Sequence, residues 1–240
     1  MSQPQNIRGT ITYLSHKEDR YGQERGREFF TLSRRDDGTT VMHAHCEIDD
    51  APAVVRDVSS TFDSATLEPR DGYVRISVGG VHEGSGWFHF TDAASYCDTD
   101  NRTEGRVSKT IDMPRRASWF GHHAIINDGL LARKFALDAK PGKLRLTDVM
   151  MSSPDHRGAT GPMLFPLNFS VVLIGHEEVT VGAGTFKTRK FHITDTAGGL
   201  PEEHPPYEMW CTDEADGILV KAQVGGYMQT YYELTELIRG

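Results

Sequence analysis

The run Val41-Met-His-Ala-His-Cys-Glu47 sets two imidazoles and a carboxylate at alternate positions. Residues i, i+2 and i+4 of a strand share one face, so His43, His45 and Glu47 line up there. Two histidines and a glutamate are a usable ligand set for a divalent metal such as zinc, iron or manganese. Two other readings stay open, a polar cavity wall and a solvated outer face, because the intervening Met42, Ala44, Cys46 and Ile48 form a continuous apolar side. A second constellation is Arg115-Arg-Ala-Ser-Trp-Phe-Gly-His-His-Ala-Ile-Ile-Asn-Asp128, which gathers cations, an indole, imidazoles and a carboxylate in an irregular stretch. There His122 or His123 could act as general base near Asp128, with Arg115 or Arg116 holding an anionic or oxyanionic group. The competing reading makes Trp119 and Phe120 an apolar cap and the histidines surface groups.

A third group is carried by two neighbouring strands. Trp87 and His89 share one face, opposite Phe88 and Phe90, and with Tyr73 and Arg75 they could line a pocket that stacks a flat ligand. Trp119 is a further wall for such a pocket. Arg56-Asp57, set between valines, reads as a structural ion pair. The chain has no GxSxG elbow, no phosphate loop and no HExxH helix, so nucleotide cofactors have no support and no cofactor is expected, a divalent metal being the one alternative.

These groups need rigid elements, and the dominant period along the chain is two. Alternating runs cover 7–14, 28–35, 39–48, 55–62, 72–78, 85–91, 106–113, 143–151, 169–176, 185–194, 207–212, 218–223 and 228–237. Asp36-Asp37-Gly38, Arg70-Asp71-Gly72, Gly79-Gly80, Gly198-Gly199, Asp216-Gly217 and Gly225-Gly226 separate them with turn chemistry. The pattern predicts an all-β protein, a curled antiparallel meander closing into a barrel or half-barrel. One short, broken helix is expected over 123–135, where Asn127-Asp128-Gly129 interrupts the apolar positions. Residues 152–166 hold three prolines and read as a long loop. Residues 1–240 are read as one domain.

Composition narrows the partners. With 26 Lys and Arg against 34 Asp and Glu the formal charge is −8, which repels phosphate backbones and argues against nucleic acid. The longest strongly apolar run is Val171-Val172-Leu173-Ile174, too short to span a bilayer as a helix. The amino-terminal residues lack an apolar signal region, so a cytoplasmic location is expected. Cys46, Cys97 and Cys211 are odd in number and far apart, which favours buried, reduced thiols over a disulfide framework.

The carboxy-terminal third carries a resemblance. His176-Glu-Glu-Val-Thr-Val-Gly-Ala-Gly-Thr-Phe186, then Tyr207-Glu-Met-Trp210, Asp216-Gly-Ile-Leu-Val-Lys221 and Tyr231-Tyr-Glu-Leu234, resembles a bacterial β-protein family of unknown function. Its pattern is a "V-x-V-P-A-G-T-F" hairpin, a tryptophan strand and a closing "Y-x-L" strand; this chain has Gly182 in place of the proline. The resemblance implies a lipocalin-like or half-barrel sheet and supplies no site residues. The 11 histidines and the polar groups on presumed interior faces point to a cofactor-independent lyase, hydratase or isomerase acting on a small hydrophobic or aromatic metabolite. A carrier of a lipophilic ligand, with no catalysis, is the alternative, and a metal enzyme at His43, His45 and Glu47 the weaker one. A homodimer is compatible with either.

Overall fold

The computed structural model describes residues 5–155, 158–197, 204–226 and 228–240. The strands are β1 (Gln5–Ser15), β2 (Glu24–Arg34), β3 (Thr39–Ile48), β4 (Val54–Asp63), β5 (Pro69–Val78), β6 (Val81–Phe90), β7 (Ala94–Asn101) and β8 (Gly105–Asp112). After an irregular interior segment come β9 (Trp119–Gly121), β10 (Gly142–Met151), β11 (Phe165–Val181), β12 (Gly184–Ala197), β13 (Tyr207–Thr212), β14 (Leu219–Val224) and β15 (Thr230–Arg239). All fifteen form one sheet in the order β8-β7-β6-β5-β4-β3-β2-β1-β15-β14-β13-β12-β11-β10-β9. Every pairing is antiparallel except the short β9–β10 contact. The predicted curled antiparallel sheet is therefore the observed architecture.

Alternation decides which face is buried. On β4 the residues Val54, Arg56, Val58, Ser60 and Phe62 point inward while their neighbours face out. On β6, Phe88 and Phe90 are buried and Trp87 and His89 exposed. The sheet coils until β9 meets the inner side of β5 and β6, and the junction is made by side chains. Phe120 of β9 packs against Phe88 and Phe90 with ring centroids 4.9 Å apart in both cases. It also lies over Gly72, where a Cβ would come within 2.6 Å of the ring, so this strand position has to be glycine. At the same seam Lys109 of β8 donates to the Leu164 carbonyl at 3.0 Å. Arg106 and Lys109 put charge on this terminal strand, which discourages pairing with other chains.

The segment between β8 and β10 fills the concave side. Helix α1 (Ile125–Gly129) runs directly into a 3-10 turn (Leu130–Lys134), the broken helix predicted there. Ile126, Leu130, Leu131 and Ala132 are fully buried against the sheet. The expected long loop spans 152–164, β11 beginning at Phe165, and its residues 156–157 lie outside the described residues, as does the Gly198-Gly199 turn. Gly182 and Ala183 form the turn of the β11–β12 hairpin, closed by Val181 opposite Gly184. Cys46, Cys97 and Cys211 are buried free thiols.

Candidate functional site

The site begins with a carboxyl carried into the core. β2 sends Gly26, Glu28, Phe30 and Leu32 inward, and Glu28 has no exposed surface. Its oxygens accept from the Ile125 amide at 2.7 Å, the Ile126 amide at 2.9 Å, the Tyr13 hydroxyl at 2.8 Å and the Cys46 thiol at 3.2 Å. The first amides of a helix have no partner within it, so Glu28 both satisfies them and fixes where α1 begins. A five-residue helix would not persist alone, and this anchor together with its apolar face holds it. Burial raises the Glu28 pKa against the pull of those donors.

Anchored in this way, α1 presents Asp128 to a cavity of about 170 Å³. Tyr207 of β13 donates to Asp128 Oδ2 at 3.0 Å, the one side-chain hydrogen bond of this carboxyl among the described residues. Burial pushes the Asp128 pKa up to about 7; the Tyr207 bond opposes the shift and the Glu28 charge adds to it. Protein surrounds the group, and the part of its surface left uncovered faces the cavity. That uncovered part moderates the desolvation, so about 7 is a ceiling. Trp119, Ile125, Leu131, Leu167 and Phe169 supply apolar walls. Tyr207 and Tyr232 sit at the polar end, with Tyr13 edge-on to Tyr232 at 4.9 Å. Partly exposed Asp155, Thr196 and His204 mark the rim.

Among the described residues two arginines line the cavity, and both are engaged by protein acceptors. Arg25 donates to Asp50 Oδ2 at 2.5 Å, to the Met228 carbonyl at 3.2 Å and to the Thr230 hydroxyl. Arg56, almost wholly buried, donates to the His123 carbonyl at 2.8 Å and the Gly158 carbonyl at 2.9 Å. Gly158 has φ +57° and a Cβ there would sit 2.5 Å from the guanidinium, so glycine is required for this close approach. The expected Arg56–Asp57 pair does not form, because adjacent strand residues face opposite sides: Arg56 points in and Asp57 points out to His45.

The histidine pair divides in the same way. His123 adopts φ +63°, which turns the backbone so that the two imidazoles diverge. His123 lines the cavity, its Nε2 3.4 Å from the Ser153 carbonyl. His122 is buried away from it, with Nε2 3.3 Å from Ser60 Oγ and its ring edge-on to Phe120. Burial, reinforced by His123 and Arg56, pushes the His122 pKa down to about 3, leaving it neutral in the core. Arg115 and Arg116 lie in a separate surface groove with Arg133, Lys134 and Arg145. Arg115 pairs with Asp148 at 3.0 Å and Arg116 with Asp92 at 3.0 Å, so neither reaches the cavity.

Of the proposed pocket walls, Trp119 is in the cavity and the others are not. Tyr73, Arg75, Trp87 and His89 stand on the convex face, since Val74, Ile76, Phe88 and Phe90 take the inner one. Tyr73 and Trp87 touch at 4.8 Å, Arg75 lies 5.6 Å from the Tyr73 ring, and Trp87 is 63% exposed. His43, His45 and Glu47 share that outer face. His45 is held by Asp57 at 2.7 Å and Glu47 at 3.3 Å, and the Asp57 bond is the main reason its pKa is raised. Among the described residues no cluster of three or more His, Cys, Asp or Glu side chains is placed to hold a metal ion.

Sequence reasoning missed Glu28, Tyr13, Tyr207, Tyr232 and the inward Arg25 and Arg56. A signal existed for several of them, because Glu28 shares the parity of Phe30 and Leu32, Tyr13 that of Ile11, and Tyr232 that of Leu234. A polar residue in the inward register of a strand marks a lined interior.

No family model matches the chain, and no curated protein matches it. Among solved structures it is similar to a β-barrel-like protein of the domain of unknown function DUF1849 from Brucella abortus, with a TM-score of 0.57 at 14% identity. That alignment covers 99% of this chain and 98% of the other. A Bacteroides fragilis protein with a YmcC-like fold aligns over 99% of this chain and 96% of its own, with a TM-score of 0.34 and 12% identity. The first likeness shows a shared β-barrel-like fold.

Proposed function

We propose that the protein binds a small, largely hydrophobic ligand inside the half-barrel, with Asp128 and Tyr207 meeting its polar end. The observation that carries this reading is a cavity of about 170 Å³ with mainly apolar walls whose floor holds one largely covered carboxyl bonded by one tyrosine. Small-molecule sites have this character, mostly apolar with a few convergent polar groups. An engineered apolar cavity of about 150 Å³ holds benzene, so a single-ring compound is of suitable size. The test is titration with toluene, followed by amide chemical shifts. Shifts clustered at Ile125, Leu131, Leu167 and Phe169, and abolished by Leu167→Trp, are expected; scattered or absent shifts would remove the reading.

A second reading is favoured by the Asp128 carboxyl poised at about 7, a value suited to proton transfer at neutral pH. Under it the protein is a cofactor-independent lyase, hydratase or isomerase, with Asp128 as acid–base group and His123 at the rim. Asp128→Asn would then abolish turnover of an identified ligand while leaving its binding in place. Turnover unchanged in Asp128→Asn would remove Asp128 as the acid–base group, and no turnover of a bound ligand would leave the carrier reading alone.

A further inference from the structure

The proposal concerns what the polar end of the ligand must be, and it rests on the cavity being the binding site. Asp128 differs from the other charged groups around the cavity. Arg25 is paired with Asp50, and Arg56 donates to two backbone carbonyls. Glu28, the second buried carboxyl nearby, has four donors. Asp128 has Tyr207 alone among the described residues, no cation beside it, and open space in front. Around that space stand the rings of Trp119, Phe169, Tyr13, Tyr207 and Tyr232. A carboxylate at the floor of an aromatic-walled cavity matches a cationic nitrogen, since aromatic faces attract a cation and the carboxylate supplies a charge-assisted hydrogen bond.

We infer that the cavity selects a small arylalkyl amine, its ammonium on Asp128 and its ring between Trp119 and Phe169. An anionic ligand end is disfavoured by the same geometry, because the Asp128 carboxyl stands at the floor, Glu28 lies behind it, and Arg25 and Arg56 are already engaged. Occupation also explains how an acid can be kept there at all. Empty, the group holds its proton near neutrality; with an ammonium at hydrogen-bond distance the anion is restored and the proton leaves to solvent. Affinity for a permanently protonated amine should therefore rise with pH from 5 to 8. The titratable and charged groups around Asp128 are Glu28 on β2, Tyr207 and Cys211 on β13 and Tyr232 on β15, with Tyr13, Arg25, Arg56, His123, Asp155 and His204 further round the lining. Burial raises Tyr207, Cys211 and Tyr232 away from this pH range, and Glu28, Asp155 and the histidines are common to wild type and Asp128→Asn, so the difference between the two proteins isolates Asp128.

The experiment is calorimetric titration of the full chain with benzylamine, benzyl alcohol and benzoate at pH 5, 6.5 and 8. These three share a ring and differ in the charge of the polar end. At pH 8 benzylamine is expected to bind at least tenfold more tightly than benzyl alcohol, the order of a hydrogen bond to a charged group, and benzoate most weakly. The amine advantage should shrink at pH 5 and disappear in Asp128→Asn, whose binding of toluene, a ring with no polar end to meet the changed side chain, reports an intact cavity. Benzyl alcohol or benzoate equal to or tighter than the amine at pH 8 would overturn the amine inference while leaving the cavity reading in place. So would amine affinity that falls as pH rises, which is the behaviour of a protonated acid donating to the ligand. Binding of none of the three would remove the cavity reading together with the inference.

Discussion

Replacing Asp128 by Asn should make the protein more stable, and only above acid pH. The carboxyl titrates near 3.8 when unfolded and at up to about 7 when folded. Below 3.8 both states hold the proton, and the substitution is close to neutral, because the Asn oxygen can still accept from Tyr207. Between 3.8 and 7 the folded state keeps a proton that the unfolded chain has lost, so raising the pH draws stability away. Above 7 the loss is complete. Moving from 3.8 to about 7 corresponds to about 4 kcal/mol, at about 1.4 kcal/mol per pH unit. Water entering the cavity lowers this ceiling, and a gain of about 2–4 kcal/mol is expected at pH 8. Urea unfolding of both proteins at pH 4, 5.5, 7 and 8.5 measures it. The difference in unfolding free energy should open progressively across the series; other titrating groups are common to both proteins and cancel in it. A gap that does not change with pH, or wild type more stable at pH 8.5, would refute the claim that Asp128 is an uncompensated buried acid.

Phe120→Ala removes the ring that joins β9 to β6, and a buried phenylalanine truncated in this way costs about 3–5 kcal/mol. Trp87→Ala, on the convex face, should stay within about 0.5 kcal/mol, so thermal unfolding of the two variants separates the inner surface from the outer. Glu28→Gln turns an all-acceptor group into one that points an NH₂ at existing donors; a loss of about 2–3 kcal/mol and faster hydrogen exchange at the Ile125 and Ile126 amides are expected. Prolonged chelation should leave the thermal midpoint unchanged, because His45 is already bonded to Asp57 and Glu47; a marked drop would point to a metal at His43, His45 and Glu47.

The period of two made the strands legible, and it also grouped His43 with His45 and Glu47, and Tyr73 with Trp87, all of which the structure puts on the convex face. What it could not supply was the sign of each face. On β3 both sides are plausible interiors, and the outcome follows from Met42, Ala44 and Cys46 packing inward. The local segment 115–128 was singled out for its residue types, yet which of its members meet depended on one backbone angle at His123 and on the start of α1. That start is set by Glu28, nearly a hundred residues away in sequence. Asp128 was visible as a titratable residue near histidines, but its partner Tyr207 comes from β13, and nothing local announces a contact across that separation. Long-range pairing rather than propensity made the site.

Followed strand by strand, the sheet runs from β9 to β15 and then from β1 to β8. If β15 led directly into β1, every hydrogen-bonded neighbour in the sheet would also be a neighbour along the chain. The molecule is thus a cyclic meander cut at the β1–β15 pair, in the middle of the sheet, where Ile7 lies opposite Arg239 and the Gly240 amide reaches the Asn6 carbonyl at 2.8 Å. β8 and β9 are joined by the covalent chain through residues 113–118, whereas β1 and β15 are joined by ladder hydrogen bonds and side-chain contacts such as Tyr13 on Tyr232. Each half can assemble from hairpins, but their union closes almost the whole chain into one loop, the contact with the highest entropic cost in the fold. Linking β15 to β1 and opening the chain within residues 113–118 would keep every pairing, make that closure local and move the break next to the contact of Phe120 with Phe88.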